Sequence, residues 1–217
     1  MIVRLLMLAA LMIVPLGAGT AGASSESSLS GREGHPRGRF PLRVYAPPRE
    51  DTALEAAVTR AVRDWNKLFE AALGVPAFTT ATRPGDAAVV LTFEPALTSG
   101  AMGATYVSTD DTGVIELPVR IVLAEPAARG RTGRDVVLYQ VAAHELGHAL
   151  GLPHTTDPRS IMCCVEGSID FGDPRVREAY IEARRHPDLA SVWGEVLAHY
   201  RRFWRQRGEE RPERSSP

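Results

Sequence analysis

The spacing of hydrophobic and polar residues predicts one long helix in the first third of the chain. The helix would start at Asp51 and Thr52, where Glu55 stands three residues after Thr52 as in a capping box. Apolar residues then recur every three or four positions and form a single stripe: Leu54, Val58, Ala61, Val62, Trp65, Leu68 and Phe69. Gly74 and Pro76 predict its end, because glycine favours a helix C-terminus and proline cannot continue the helix.

Five short segments with β-branched or alternating residues predict strands. They are residues 42–45, 88–93, 104–107, 114–117 and 119–123. The second of these is apolar along its whole length, which predicts a strand buried on both faces. Residues 110–113, DDTG, have the composition of a turn between two of the strands.

A second helix is predicted from about Thr132, with Asp135 three residues later, to about Leu150, where Gly151 would end it. Two further helical patterns cover residues 174–185 and 188–205. Helices and strands follow one another without regular βαβ alternation. We therefore expect an α+β fold, in which one twisted mixed five-stranded sheet packs against a long N-terminal helix, the second helix and the C-terminal helices.

The two ends differ in composition from the predicted domain, residues 40–207. Residues 1–23 combine an early arginine, an apolar run and small residues, as in a secretory signal peptide. The unbroken run from Leu5 to Val14 is shorter than the roughly 20 residues that span a bilayer, so we expect export without a stable membrane anchor. Residues 24–39 predict a flexible leader, and residues 208–217 a disordered tail.

Composition narrows the function further. Of the 217 residues, 44% are hydrophobic and 24% charged, which is typical of a soluble globular protein. The formal net charge of -1 gives no field that would attract nucleic acid, so we expect no nucleic-acid partner. The two cysteines, Cys163 and Cys164, are neighbours. They could bond to each other, stay reduced, bond another chain or offer a thiolate to a metal.

The strongest candidate for a functional site is the segment HELGHALGLPH, which begins at His144. His144 and His148 lie four residues apart, so they share one face of the predicted helix and can reach one metal ion. Glu145 lies beside them and suits a base better than a ligand. Gly151 can take a positive φ, which would turn the chain so that His154 supplies a third imidazole. Three histidines with an open fourth position are a ligand set of catalytic zinc.

Such a site predicts hydrolysis of an amide bond in a protein or peptide substrate. Zinc lowers the pKa of its bound water to about 7, and Glu145 would accept the proton as this water attacks a polarised carbonyl. The residues leave two other classes open. One is a noncatalytic zinc-stabilised binding or inhibitory module, and the other is an amide hydrolase acting, for example, on a cell-wall crosslink.

The pattern HExxHxxGxxH with a following methionine resembles the metzincin metallopeptidases. Residues 154–162, HTTDPRSIM, are similar to the matrixin branch at Thr155, Asp157 and Met162. The resemblance implies a metzincin-like zincin catalytic domain and a zinc-dependent metalloendopeptidase. It also implies that Met162 lies in a tight turn beneath the zinc and that Asp157 ties the loop to neighbouring backbone or helix. Residues 114–123 would form the sheet edge that pairs with an extended substrate.

The sequence also departs from the matrixin pattern. Cys163-Cys164-Val165-Glu166 stands where matrixins usually have an aromatic, a proline and another aromatic, so the specificity pocket cannot be transferred. We expect the remaining histidines, His35, His186 and His199, to be ordinary surface or packing residues. The sequence therefore predicts a single zinc ion, the catalytic one. The sequence leaves calcium binding undecided, because four aspartates in predicted loops could bind the ion or simply form turns: Asp86, Asp110, Asp111 and Asp170.

Overall fold

The computed structural model of the protein describes residues 29–128, 131–165 and 167–209. The predicted signal peptide, residues 1–23, lies outside this part of the chain, and so does most of the predicted tail. Among the described helices, none is both long enough and apolar enough to cross a membrane.

Five strands and four α-helices make up the described fold. The strands are β1 (Leu42–Tyr45), β2 (Phe78–Thr80), β3 (Val89–Glu94), β4 (Gly103–Tyr106) and β5 (Val119–Ala124). The helices are α1 (Thr52–Leu73), α2 (Arg134–Ala149), α3 (Pro174–Arg185) and α4 (Trp193–Gln206). Together they confirm the α+β class and the mixed five-stranded sheet.

The sheet has the strand order β2-β1-β3-β5-β4. Neighbouring strands are parallel from β2 to β5, and β4 runs antiparallel to β5. Consequently β4 is an edge strand with one free side, whereas β5 has hydrogen-bonded neighbours on both sides. The long helices α1 and α2 pack against each other, and α2 also contacts β4 and β5.

One of the five predicted strands is wrong. Residues 114–117 make only single bridges, between Val114 and Gly34 and between Ile115 and Thr109. The reason is that a distant segment takes the backbone hydrogen bond, since Ile115 N donates to Gly34 O at 2.9 Å. The fifth strand is instead β2, which has three residues and is too short to show an alternating pattern.

The predicted long helix is confirmed as α1, with two sharply defined ends. Asp51, rather than Thr52, is the N-cap, and its carboxylate accepts hydrogen bonds from the backbone N–H groups of Ala53 and Leu54. At the other end Gly74 has a φ of 71°, and its N–H donates to Glu70 O. Most of the predicted apolar stripe is buried in the core, including Trp65 and Phe69.

The prediction of a flexible leader at residues 24–39 is wrong for its described part, residues 29–39. His35 is fully buried, and its carbonyl accepts a hydrogen bond from Trp204 Nε1 at 3.0 Å. Arg202 donates to Gly31 O at 2.7 Å. The segment has few apolar residues of its own, so its composition does not indicate that aromatic side chains of α4 hold it in place.

Candidate metal centre

Helix α2 brings the first part of the motif into the core. It begins at Arg134, two residues after the predicted start, with Gly133 as N-cap. Trp65 of α1 donates its indole N–H to Ala143 O at 2.9 Å, which fixes the helix one residue before His144. Glu145 and His148 are buried as a result of this packing.

The turn after α2 depends on Gly151, whose φ is +85°. A Cβ at this position would lie 2.9 Å from the carbonyl carbon of Glu33 and 3.3 Å from Gly34 Cα. Both the positive φ and the close approach of the N-terminal segment therefore require glycine. The chain reverses here, and His154 lies next to the two helical histidines, as the spacing predicts.

The three imidazoles converge through their Nε2 atoms. The Nε2–Nε2 distances are 3.0 Å between His148 and His144, 3.1 Å between His144 and His154, and 3.2 Å between His148 and His154. Tetrahedral zinc with N ligands at about 2.0–2.1 Å places neighbouring ligand atoms about 3.3 Å apart. The histidine nitrogens are therefore spaced to fit one zinc ion, and among the described residues they form the cluster able to hold a metal.

Hydrogen bonds on the far side of the rings fix which nitrogen faces the centre. The Nδ1 atoms of His144 and His148 lie 2.8 Å from the carbonyl oxygens of Ile161 and Leu152. A carbonyl can only accept, so each Nδ1 carries the proton and each Nε2 presents a lone pair. Lone pairs that face one another repel, and a cation between them removes that repulsion.

Burial keeps these histidines neutral. It lowers the pKa of His144 to about 4, although the hydrogen bond to Ile161 acts in the opposite direction and raises this pKa. The charges of His154 and Arg184 lower the pKa further. Burial also lowers the pKa of His148 well below its usual value, and the neighbouring His144 adds to the effect. Neutral imidazole is the form that binds a metal.

Glu145 lies beside the histidines and is held by the edge strand β4. Thr105 Oγ1 donates to Glu145 Oε2 at 2.7 Å and contacts Glu145 O at 3.1 Å. A Cβ at Gly103 would lie 2.8 Å from Glu145 Cγ, so only glycine leaves room for the carboxylate. The sequence pattern located this strand but gave no sign that residues 103 and 105 contact Glu145.

The resemblance placed the free sheet edge in the wrong strand. Residues 119–123 lie in β5, which is covered by β3 on one side and β4 on the other. Residues 114–117 are not a strand. The backbone that borders the metal centre with a free edge is β4, because its antiparallel pairing with β5 leaves its other side unpaired in the described sheet.

Met162 lies in a tight turn beneath the histidines and is fully buried. A Cβ on Gly147 would contact its sulfur, so the thioether packs directly on the helix between the two helical histidines. The turn is fixed by Thr155 N, which donates to Met162 O at 3.0 Å, and by Ser160 Oγ, which accepts from Met162 N at 3.1 Å.

Asp157 stabilises the loop through contacts close by in sequence. Its carboxylate accepts hydrogen bonds from the backbone N–H of Arg159 at 3.0 Å and from the Arg159 guanidinium. The Arg159 side chain holds the pKa of Asp157 below its usual value. Burial raises the pKa of Glu195 of α4, which the sequence did not single out, and the charge of Asp157 in the same loop raises it further.

Several of the other histidines and aspartates take part in packing or in turns. His35 and His199 are buried packing residues, and His186 is exposed. Asp110 accepts hydrogen bonds from Thr112 N and Val114 N, and Asp170 accepts one from Gly172 N. These two carboxylates form turns.

A cleft of about 220 Å³ opens beside the histidines, between β4, α2 and the segment after Met162. Cys163 lines the cleft and forms a disulfide with Cys164. Tyr180 and Arg184 of α3 complete the wall. The lining of the cleft therefore combines two of the three histidines, His144 and His154, with one carboxylate and one guanidinium.

Comparison with known proteins shows a similarity to one protein family. The family model of the matrixins matches residues 105–170, which run from β4 to the loop before α3. Human matrix metalloproteinase-20 (Homo sapiens) is 29% identical over 133 residues, which cover 57% of this chain and 25% of that protein.

Shorter and stronger similarities lie in two other proteins. Rabbit macrophage metalloelastase (Oryctolagus cuniculus) is 61% identical over 34 residues, 16% of this chain and 7% of that protein. Pig interstitial collagenase (Sus scrofa) is 66% identical over 29 residues, 13% of this chain and 6% of that protein. The matches thus span a quarter or less of the length of these relatives.

Proposed function

This chain is a matrixin-like metzincin, and from that premise we propose that it is a zinc-dependent endopeptidase that cuts protein or peptide substrates. One observation carries the proposal. The Nε2 atoms of His144, His148 and His154 lie within 3.2 Å of one another, with the Glu145 carboxylate beside them. Three nitrogen ligands, rather than four closed ligands, are the arrangement of a catalytic zinc site.

The three histidines would hold the ion, and zinc when bound supplies a Lewis acid that polarises a carbonyl and acidifies water. Glu145 would accept the proton of the attacking water and return it to the leaving amine. The hydrogen bond from Thr105 orients this carboxylate. Met162 and Gly147 keep the side of the site below the histidines free of water, because both are packed in the core.

An extended substrate would pair with the free edge of β4. This strand runs past Glu145 and has no neighbouring strand on its outer side in the described sheet, which is where a peptide can be added to a sheet. The peptide would then cross the metal centre, and the side chain next to the scissile bond would enter the cleft.

The test is metal content together with cleavage of a broad peptide library by the purified protein. We expect one zinc per chain and cleavage that a chelator abolishes. Glu145→Gln should keep the zinc and lose about 10²–10⁴-fold in kcat, because it removes the general base without removing a ligand. His154→Ala should lose the zinc as well.

Glu70→Gln is the matched control, since Glu70 is exposed on α1, on a different element from the metal centre. It should leave zinc content and kcat unchanged. Stoichiometric zinc without any cleavage would contradict the proposal and favour a noncatalytic binding module. Cleavage of cell-wall crosslinks but of no ordinary peptide would favour the other amide hydrolase.

We also propose that the protein is exported. The support is the composition of residues 1–23, which resembles a signal peptide. Expression of the full chain in a secreting host, followed by N-terminal sequencing of the released protein, tests this. Retention of Met1 on protein found only inside the cell would contradict it.

A further inference from the structure

The wall of the cleft contains a cation that the proposed peptidase chemistry does not use. Arg184 belongs to α3, which lies beyond residues 105–170 that match the matrixins. Its guanidinium is partly buried in the cleft that also contains His144, Glu145 and His154. Arg184 and Glu145 are the formally charged side chains, histidines apart, among the described residues that line this cleft.

The contacts of Arg184 fix its position and leave donors available. It stacks on Tyr180, with its Cζ 4.4 Å from the ring centroid. Nη1 and Nη2 donate to the carbonyl oxygens of Ser160 and Cys163 at 3.4 and 3.3 Å, which are long hydrogen bonds. A guanidinium has five N–H donors, so these two contacts leave donors that can reach a ligand in the cleft.

No carboxylate forms an ion pair with Arg184 among the described residues. By contrast the next residue, Arg185, is more exposed and pairs with Glu182 at 4.0 Å. A partly buried guanidinium next to a substrate cleft favours a carboxylate, because its planar donors match the two carboxylate oxygens.

We propose that Arg184 binds a carboxylate of the substrate and makes the protein selective for acidic peptides. The carboxylate could belong to a Glu or Asp side chain beside the scissile bond, or it could be the C-terminal carboxylate of a short peptide. This inference rests on the proposed peptidase function and specifies its substrate class.

The experiment compares matched peptides derived from any sequence that the wild-type protein cuts. In one arm the peptides have blocked ends and carry Glu or Gln at each position flanking the scissile bond. In the other arm short peptides end in a free carboxylate or in an amide. We expect about a tenfold higher kcat/KM for the carboxylate member in one arm, the range of a charge-assisted hydrogen bond.

Arg184→Gln should remove this preference and lower kcat/KM for the carboxylate peptide, while the neutral peptide is cut nearly as before. Arg184→Lys should retain part of it, because the charge remains without the planar donors. Arg184→Glu should favour a Lys peptide over a Glu peptide. Arg185→Gln is the matched control, one residue away and outside the cleft lining, and should keep the wild-type preference.

Zinc content and thermal unfolding of each variant separate a folding defect from a change in selectivity. A purely structural role for Arg184, as a clamp on the segment at residues 160–163, would slow cleavage of all peptides equally and would overturn the proposal. Equal rates for carboxylate and neutral peptides with the wild-type protein would overturn it as well. A wild-type protein that cuts no peptide would instead contradict the peptidase function itself.

Discussion

Replacement of Gly151 by alanine tests whether the N-terminal segment supports the turn that positions His154. Gly151 has a φ of +85°, and a Cβ there would meet the backbone of Glu33 and Gly34. Gly74 is the matched control, because its φ is +71° and a Cβ added there would meet no atom within 4 Å. Both substitutions lower the entropy of the unfolded chain in the same way, so this effect cancels in the comparison.

The expected losses of stability of the two variants differ by the steric cost of the methyl group added at Gly151. A left-handed backbone costs a non-glycine residue about 1–2 kcal/mol, which is the whole loss expected for Gly74→Ala. At Gly151 the added methyl must also displace Glu33, and overpacking of this kind costs about 1–3 kcal/mol more. We therefore expect Gly151→Ala to lower the free energy of unfolding by about 2–5 kcal/mol.

Denaturant unfolding of both variants, with and without zinc, measures this difference. Gly151→Ala should also weaken zinc binding, because movement of the turn shifts His154 relative to His144 and His148. Gly74→Ala should bind zinc as the wild type does. Equal losses of stability in the two variants, or unchanged zinc affinity in Gly151→Ala, would show that the contact with the N-terminal segment does not support the metal centre.

Two further predictions concern packing and pH. Met162→Ala should lower the free energy of unfolding of the zinc-loaded protein by about 2–5 kcal/mol and Met162→Leu by less than about 1.5 kcal/mol; equal losses in denaturant unfolding would argue against a packing role. Burial lowers the pKa of His199 to about 4 in the folded state, below its unfolded value, so the unfolded chain binds the proton first. Stability should therefore be full above about pH 6.5 and fall towards pH 4, by about 1.4 kcal/mol per pH unit for each such histidine. His199→Gln should reduce the number of protons taken up on unfolding by about one, measured from the pH dependence of the free energy of unfolding of the chelated protein between pH 4.5 and 6.5. An unchanged pH dependence would show that His199 is not buried in its neutral form.

Local patterns predicted the elements whose signals are contained in their own residues. The apolar stripe and the ends of α1 follow from 3.6-residue periodicity, from Asp51 and from Gly74. The convergence of His144 and His148 follows from their i, i+4 spacing on α2. The approach of His154 follows from the need for glycine at residue 151.

Other parts of the site depend on residues that are far apart in sequence. Thr105 contacts Glu145 across 40 residues, and nothing in the local pattern around either residue indicates this hydrogen bond. Arg184 reaches the cleft from α3 and contacts Cys163 across 21 residues. The short strand β2 and the loss of the strand at residues 114–117 similarly depend on which partner segments supply backbone hydrogen bonds.

Taken by itself, the sequence determined the motif helix, the glycine turn, the three histidines that follow from them and the α+β class. These features arise from side-chain periodicity and backbone preferences within about ten residues, which need no knowledge of distant neighbours. Tertiary structure alone decided that residues 29–39 are packed, that β4 rather than β5 is the sheet edge beside the metal centre, and that a guanidinium lines the cleft. Each of these depends on long-range burial and hydrogen bonding, because a polar or glycine-rich segment becomes ordered only when another part of the chain supplies its partners.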